Sequence, residues 1–324
     1  MVTPNKESRV LMLLHEHKEF KDLIAAVSDA MGIDPTLVEK DYWIMHCLWG
    51  LQQQGFLYEL KGGTSLSKGF GLIHRFSEDI DIRIEPLAGM DVKTGKNQDK
   101  VAHIQSRSDY YDWVASNLKI SGIQEVLRDH AFDDQEKMRS GGVRLNYKPT
   151  ALSLNGLKDG VLLELGFDDT APNKTVSISS WAYDYAKQYV KEIEDNRAKN
   201  VLCYLPEYTF VEKLQTISTK YRQYKAGKGF PKNFLRHYYD LYCLLDYPPV
   251  LAFIKTDQYQ TRKVERFPKS DHPVISENPA FLLVDADDRK LFESEYQKVS
   301  SLYYKGQPSF DALLKRIREH IKAL

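Results

Sequence analysis

Cysteine is scarce: Cys47, Cys203 and Cys243 are the only three in 324 residues. They lie far apart, with no CxxC pair and no zinc spacing, which excludes a disulfide framework and a zinc module. Long apolar runs are missing as well. No stretch approaches a membrane span, and the opening Met1-Val-Thr-Pro-Asn-Lys-Glu7 has no signal-peptide core. A cytoplasmic protein with reduced thiols and no membrane contact is expected. Excess charge of either sign is absent too. With 45 Lys+Arg against 45 Asp+Glu, a uniformly basic coat is excluded, though local patches are not. Nor do GxxxxGK[ST], HExxH or a GxGxxG after a strand occur. What is present is globular: 42% hydrophobic and 28% charged residues exclude bulk disorder, and the length suits one large domain or two ordinary ones. The 20 tyrosines concentrate in the C-terminal half.

Residues 5–55 read as two helices, the second opened by an Asp34 N-cap and Pro35, with Val38, Tyr42, Met45 and Leu48 at helical spacing. Residues 56–61 alternate as a strand and end at Gly62-Gly63. A short helix, 64–74, precedes the strictly alternating Ser77-Glu-Asp-Ile-Asp-Ile-Arg-Ile-Glu85. A helix over 101–119 and strands over 142–148 and 161–167 follow. After Trp181 the pattern is helical, with candidates at 181–200, 207–225, 232–246 and 309–323. The charged, Pro-containing stretch 255–280 reads as a surface excursion. The fold class expected is α+β followed by an all-helical half, with a boundary near 175.

The chemistry concentrates on Ser77–Glu85. Period-two alternation puts Ile80, Ile82 and Ile84 on one face and Asp79, Asp81 and Arg83 on the other. Carboxylates at i and i+2, ~7 Å apart at Cα, can share a hard divalent cation such as Mg²⁺. A half-buried strand with a solvated acidic face is the plainer reading. Just upstream, Gly62-Gly63-Thr64-Ser65-Leu66-Ser67-Lys68 forms a strand-to-helix turn, where glycine permits close approach and helix amides favour phosphate. Its Thr and Ser could equally be helix caps. A third acid, Glu164, stands alone in the apolar run 161–167, where an ionised side chain is costly unless exposed or paired.

Gly62-Gly63-Thr64-Ser65 followed by Asp79-Ile-Asp81 resembles the GG[ST]…DxD signature of polymerase-β-like nucleotidyltransferases. More narrowly, four blocks resemble the AbiEii/AbiGii-type toxins of bacterial toxin–antitoxin and abortive-infection systems. They are Val38-Glu-Lys-Asp-Tyr-Trp43, Lys61–Ile82 with Arg75-Phe-Ser-Glu-Asp-Ile-Asp81, Phe210-Val-Glu-Lys213-Leu, and Arg236-His-Tyr-Tyr-Asp240-Leu-Tyr242. The resemblance implies a nucleotidyltransferase core over 1–175 and a helical domain over 176–324. It implies that Asp79 and Asp81 bind Mg²⁺ or Mn²⁺, with Glu164 (or Asp168 on the same strand face) as the third catalytic acid. It also implies that Gly62, Gly63, Thr64, Ser65 and Lys68 hold the NTP phosphates, that Lys213 contacts the nucleotide, and that Asp240 lies near the same site.

The expected reaction is NMP transfer from an NTP to an acceptor hydroxyl, by resemblance the 3′ end of tRNA, with a cognate antitoxin as partner. From Lys213 to Arg236 there is no acid. Lys220, Arg222, Lys225, Lys228, Lys232 and Arg236 are interleaved with Tyr221, Tyr224, Phe230 and Phe234, a composition suited to RNA phosphates and bases. Read without the resemblance, Lys213 and Lys220 sit on a face away from the apolar stripe of their helix. Asp240 could then form only an i,i+4 pair with Arg236. Nucleotidylation of a protein or small molecule, a kinase, and a non-catalytic RNA-binding module are the alternatives.

Overall fold

The structure, a computed structural model, describes residues 11–150 and 157–324. The start of the first expected helix and part of the loop before residue 161 lie outside them. Contacts divide the chain into two units. One takes the described parts of Met1–Leu60, Glu78–Asp169 and Thr175–Leu202; the other takes Lys61–Ser77, Thr170–Lys174 and Cys203–Leu324. A single cut near 175 does not describe this division, because Lys61–Ser77 packs with the C-terminal helices rather than with the strands that flank it in sequence.

A seven-stranded sheet has most of its residues in the first unit. Its strands are β1 (Tyr58–Lys61), β2 (Asp79–Ile84), β3 (Ile123–Asp129), β4 (Ser140–Tyr147), β5 (Val161–Gly166), β6 (Asn173–Ile178) and β7 (Ala198–Tyr204). They lie in the order β3-β4-β5-β2-β1-β7-β6, with β2 parallel to β5 and β4 antiparallel to both β3 and β5. The isoleucines of β2 decide its register. Ile80, Ile82 and Ile84 are all buried, each contributing roughly 1.5–3 kcal/mol, so the alternate residues Asp79 and Asp81 fall on the opposite face.

Helix Pro35–Gln53 starts as its sequence requires, with the Asp34 side chain accepting from the Thr36 N–H at 2.8 Å. It is buried almost all round, and three consecutive charged residues, Glu39, Lys40 and Asp41, are at most 2% exposed. Each has a distant partner. Glu39 accepts from the backbone N–H and hydroxyl of Thr150, Lys40 donates to the Lys158 carbonyl, and Asp41 accepts from the Trp181 N–H at 2.7 Å.

The second unit is helical, as expected, and its principal helices are Pro206–Lys225, Arg236–Leu244, Asp257–Arg266, Ala286–Gln297 and Phe310–His320. Phe210, Leu214, Ile217 and Tyr221 bury the expected stripe. Phe292 centres an aromatic cluster with Tyr221, Tyr224, Phe230, Phe234 and Phe310, at centroid separations of 5.4–6.1 Å.

Two expectations are corrected. The expected helix 181–200 is only Trp181–Ala186, and the chain then enters β7, where Ala198, Val201 and Cys203 are buried in the sheet. Sheet pairing there outweighs the helical propensity of a charged stretch. The stretch 255–280 is not a bare excursion, since Tyr259, Phe267, Ile275 and Ala280 are buried. Strands β3 and β6 give no sequence alternation because they are half-exposed edges of the sheet. Among the described residues, no helix is long and apolar enough to cross a membrane.

Candidate active site

Parallel pairing of β2 with β5 places Asp81 opposite Glu164 and Asp79 opposite Leu162. Glu164 thereby becomes the neighbour of the Asp79–Asp81 pair, while Asp168 lies beyond the end of β5 and is exposed. Burial pushes the Glu164 carboxyl up to about 8, and Asp81 and then Asp79 push it the same way; Lys158 opposes them. The crowding of three carboxylates on two adjacent strands thus favours a proton on Glu164.

Their donor chemistry, hard oxygens with like-charge crowding, fits Mg²⁺ or Mn²⁺. As placed, the side chains are not gathered around one point. Among the described residues, no three His, Cys, Asp or Glu side chains form a metal cage. One physical reason is visible. Lys158 Nζ lies 3.1 Å from both oxygens of Asp79, so a cation of the protein already occupies that carboxylate.

Lys158 is held by residues that periodicity does not single out. Its N–H donates to Glu78 Oε2 at 2.9 Å, and its carbonyl accepts from Lys40. Lys40 also lies 3.8 Å from Glu78, with both side chains buried. Burial draws the Lys40 ammonium down to about 8, against the pull of Glu78 and Asp79. The block Val38–Trp43 thus serves the acid strand indirectly, through Lys40 and the backbone of Lys158.

The second unit carries the other expected residues. Gly62 has φ +70°, which an L side chain adopts only at a cost. Gly63 is required for a different reason. A Cβ there would lie 2.6 Å from Ser77 Oγ and 3.0 Å from Arg75 Nη2. Thr64 and Ser65 are buried rather than displayed, and the Ser65 hydroxyl faces the Tyr204 carbonyl at 3.5 Å. Lys68 is half-buried near the end of this turn.

Arg75 grips Asp240 through Nε–Oδ1 and Nη2–Oδ2, both 2.7 Å. Lys213 Nζ adds a third cationic donor, 3.1 Å from Asp240 Oδ2, and lies 3.4 Å from His237 Nδ1. Burial would raise the Asp240 carboxyl, but Arg75 and then Lys213 hold it below the ordinary range. Burial, and then Lys213, push His237 well below its ordinary value, so its Nδ1 accepts rather than repels. Asp240 therefore fixes Lys213 with both oxygens committed. The alternative i,i+4 pairing with Arg236 is not what holds it.

A family model described as nucleotidyl transferase AbiEii toxin, type IV toxin–antitoxin system, matches residues 54–316. The chain belongs to the AbiEii toxin family. The match includes Gly62–Lys68, Asp79, Asp81, Glu164, Lys213 and Asp240, and excludes the Val38–Trp43 block. Nucleotidyl transfer is the chemistry of the AbiEii family, and a toxin paired with an antitoxin is its setting. The structure is also similar to a crystal structure of an antigenic nucleotidyltransferase-like protein from Paracoccidioides brasiliensis. That likeness has 12% identity and a TM-score of 0.38, and covers 70% of this chain and 87% of that one. It is too low to carry an argument. A search of curated proteins found no match.

The acid-free run of this AbiEii chain divides in two. Arg222 Nε lies 2.6 Å from Asp271, and Lys225 Nζ lies 2.9 Å from Asp288. Tyr221 and Tyr224 also donate to Asp288, and Phe230 and Phe234 pack against Phe292. The interleaved aromatics thus serve the helical core. Lys228 and Lys232 are exposed, and neither makes an ion pair among the described residues.

Proposed function

We propose that this chain transfers a nucleotidyl group from an NTP to an acceptor hydroxyl, in the presence of Mg²⁺ or Mn²⁺, and that the acceptor is the 3′ end of tRNA. The observation that carries the reading is the register of β2 and β5. It sets Glu164 beside the Asp79–Asp81 pair in a chain of the AbiEii family. Asp79, Asp81 and Glu164 are the residues that would hold the divalent ion, which when bound would offset the charge of the polyphosphate. The chain's own cations supply the rest. Lys213, oriented by Asp240 and His237, is assigned to the triphosphate, and the Gly62–Lys68 turn is assigned to phosphate oxygens. In the transfer, the acceptor oxygen bonds to the α-phosphorus, the bond to the β-phosphate oxygen breaks, and pyrophosphate leaves. Glu164 is assigned the hydroxyl proton.

The tRNA part is supported by the exposed Lys228 and Lys232, which suit phosphate backbones. Blocking the 3′ end would prevent aminoacylation and arrest growth, which agrees with a toxin held in check by an antitoxin. The test is incubation with total tRNA and each NTP labelled at the α-phosphate. Label on RNA from one NTP, lost in Asp81→Asn, is the expected result. In a parallel reaction with NTP labelled at the γ-phosphate, transfer of that label only would make the protein a kinase. Label on a protein or small molecule alone would remove tRNA as the acceptor.

A further inference from the structure

The ammonium of Lys158 makes equal 3.1 Å contacts with the two oxygens of Asp79. Its backbone is fixed on both sides, by Glu78 at the N–H and by the buried Lys40 at the carbonyl. The side chain passes over the Phe132 ring, with Nζ 4.9 Å from the centroid, and is 28% exposed. The attachment point is therefore set while the ammonium has room to swing. We infer that Lys158 is the resident counter-cation of Asp79, that it occupies the carboxylate a divalent ion needs, and that it passes to the nucleotide's polyphosphate once that ion is bound. The identity of the incoming ligands rests on the nucleotidyl-transfer reading above; the ion pair does not.

Without a metal, the ammonium of Lys158 faces Asp79, which shares its strand with Asp81 and lies beside Glu164 on the neighbouring strand. A divalent cation on Asp79 would place two positive groups on one carboxylate, and their repulsion favours release of the singly charged ammonium. The ammonium has a fixed backbone, so it cannot go far. The anion that arrives with the metal is a polyphosphate, which an ammonium binds as a point charge. Lys158 is then a positioning cation that selects for a polyphosphate-bearing ligand and weakens binding of the bare metal.

The experiment uses the full chain and Mn²⁺ alone, with free Mn²⁺ read by electron paramagnetic resonance. Lys158→Met should bind bare Mn²⁺ about ten-fold more tightly than the native chain, the lower end of what one adjacent charge does to a carboxylate. The same variant should bind the Mn²⁺ complex of a non-hydrolysable NTP analogue about ten-fold more weakly, for the same reason. Lys158→Arg should leave both affinities close to native. If Lys158→Met does not fold by circular dichroism, Lys158→Gln replaces it with the same two expectations. Unchanged or weaker bare-metal affinity in a folded neutral variant overturns the inference, and tighter metal with unchanged nucleotide affinity overturns its second half. Asp79→Asn separates the two levels. Retention of native Mn²⁺ affinity there would sink the metal assignment behind the proposed function. Its loss there, with no change in Lys158→Met, would sink only the role of Lys158.

Discussion

Asp240→Asn is the sharpest perturbation of the second unit, because it removes a charge while keeping the shape. Asp240 is fully buried, and Arg75, which grips it at 2.7 Å through two nitrogens, is 3% exposed. Lys213 is the second group to lose its counter-charge. An exposed ion pair is worth about 0–1 kcal/mol. Breaking a buried one from one side costs about 3–5 kcal/mol, because the partner charge is left in low dielectric. Asp240→Asn should therefore lower the stability of the full chain by about that amount in urea and thermal melts at pH 7.

The pH dependence follows from the depressed carboxyl. A group whose folded pKa lies below its unfolded one stabilises fully above the unfolded value, and that contribution is lost as pH falls through the folded value. The gap between native and Asp240→Asn should thus stay constant down to about pH 4, the ordinary aspartate range, and close only below it. A double-mutant cycle with Arg75→Met should show coupling near the top of the roughly 0.5–3 kcal/mol seen for residues in contact. A variant melting like the native chain at pH 7, or a gap that closes well above pH 4, would show that Asp240 is not the hub of this pair.

The remaining predictions concern other parts of the molecule. Asp81→Asn should abolish transfer without lowering the melting temperature, since it relieves crowding beside Glu164, and its expression should lack the growth defect expected of the native chain. Gly63→Ala should impair transfer and stability together by pressing on Ser77 and Arg75, whereas Gly62→Ala should cost about 1–2 kcal/mol through its left-handed backbone. Neutralising Lys228 and Lys232 should leave melts unchanged and flatten the log–log salt dependence of RNA binding by roughly 0.7–0.9 per lost phosphate contact. Lys225→Ala should instead destabilise the chain, because it leaves buried Asp288 without its ammonium.

The acids of the proposed site could be picked out in sequence, and the distant cations that face them could not. Asp79 and Asp81 announce themselves because a strand has period two and the isoleucines between them fix the face. Glu164 is visible as one charge in an apolar run, but choosing it over Asp168 needed the β2–β5 register. The partners come from far away in the chain: Lys158 is 79 residues from Asp79, and Arg75 is 165 from Asp240. No local period records such pairings. The fold shows the same division. Strongly alternating β2 and the amphipathic helix Pro206–Lys225 could be read directly, while the half-exposed edges β3 and β6 could not.

Lys213 shows why periodicity alone misplaces a buried cation. In a helix with one apolar stripe, a lysine off that stripe belongs in solvent. Here the buried surface extends from Thr209, Phe210 and Val211 through Lys213 to Leu214, Ile217 and Ser218, far wider than one stripe. A lysine inside so broad a buried face is stable only with a counter-charge. The carboxylate that the family resemblance sets near it was Asp240, which also had Arg236 one turn away. Geometry decides between them: Asp240 faces Lys213 and Arg75, so Arg75-Phe-Ser-Glu-Asp-Ile-Asp81 is a two-part motif. Its arginine orders Lys213 through Asp240, and its two aspartates form the acid strand. That division explains how one seven-residue segment contributes to both contact units. It also means that replacing Arg75 should disable Lys213 without touching the carboxylates of β2.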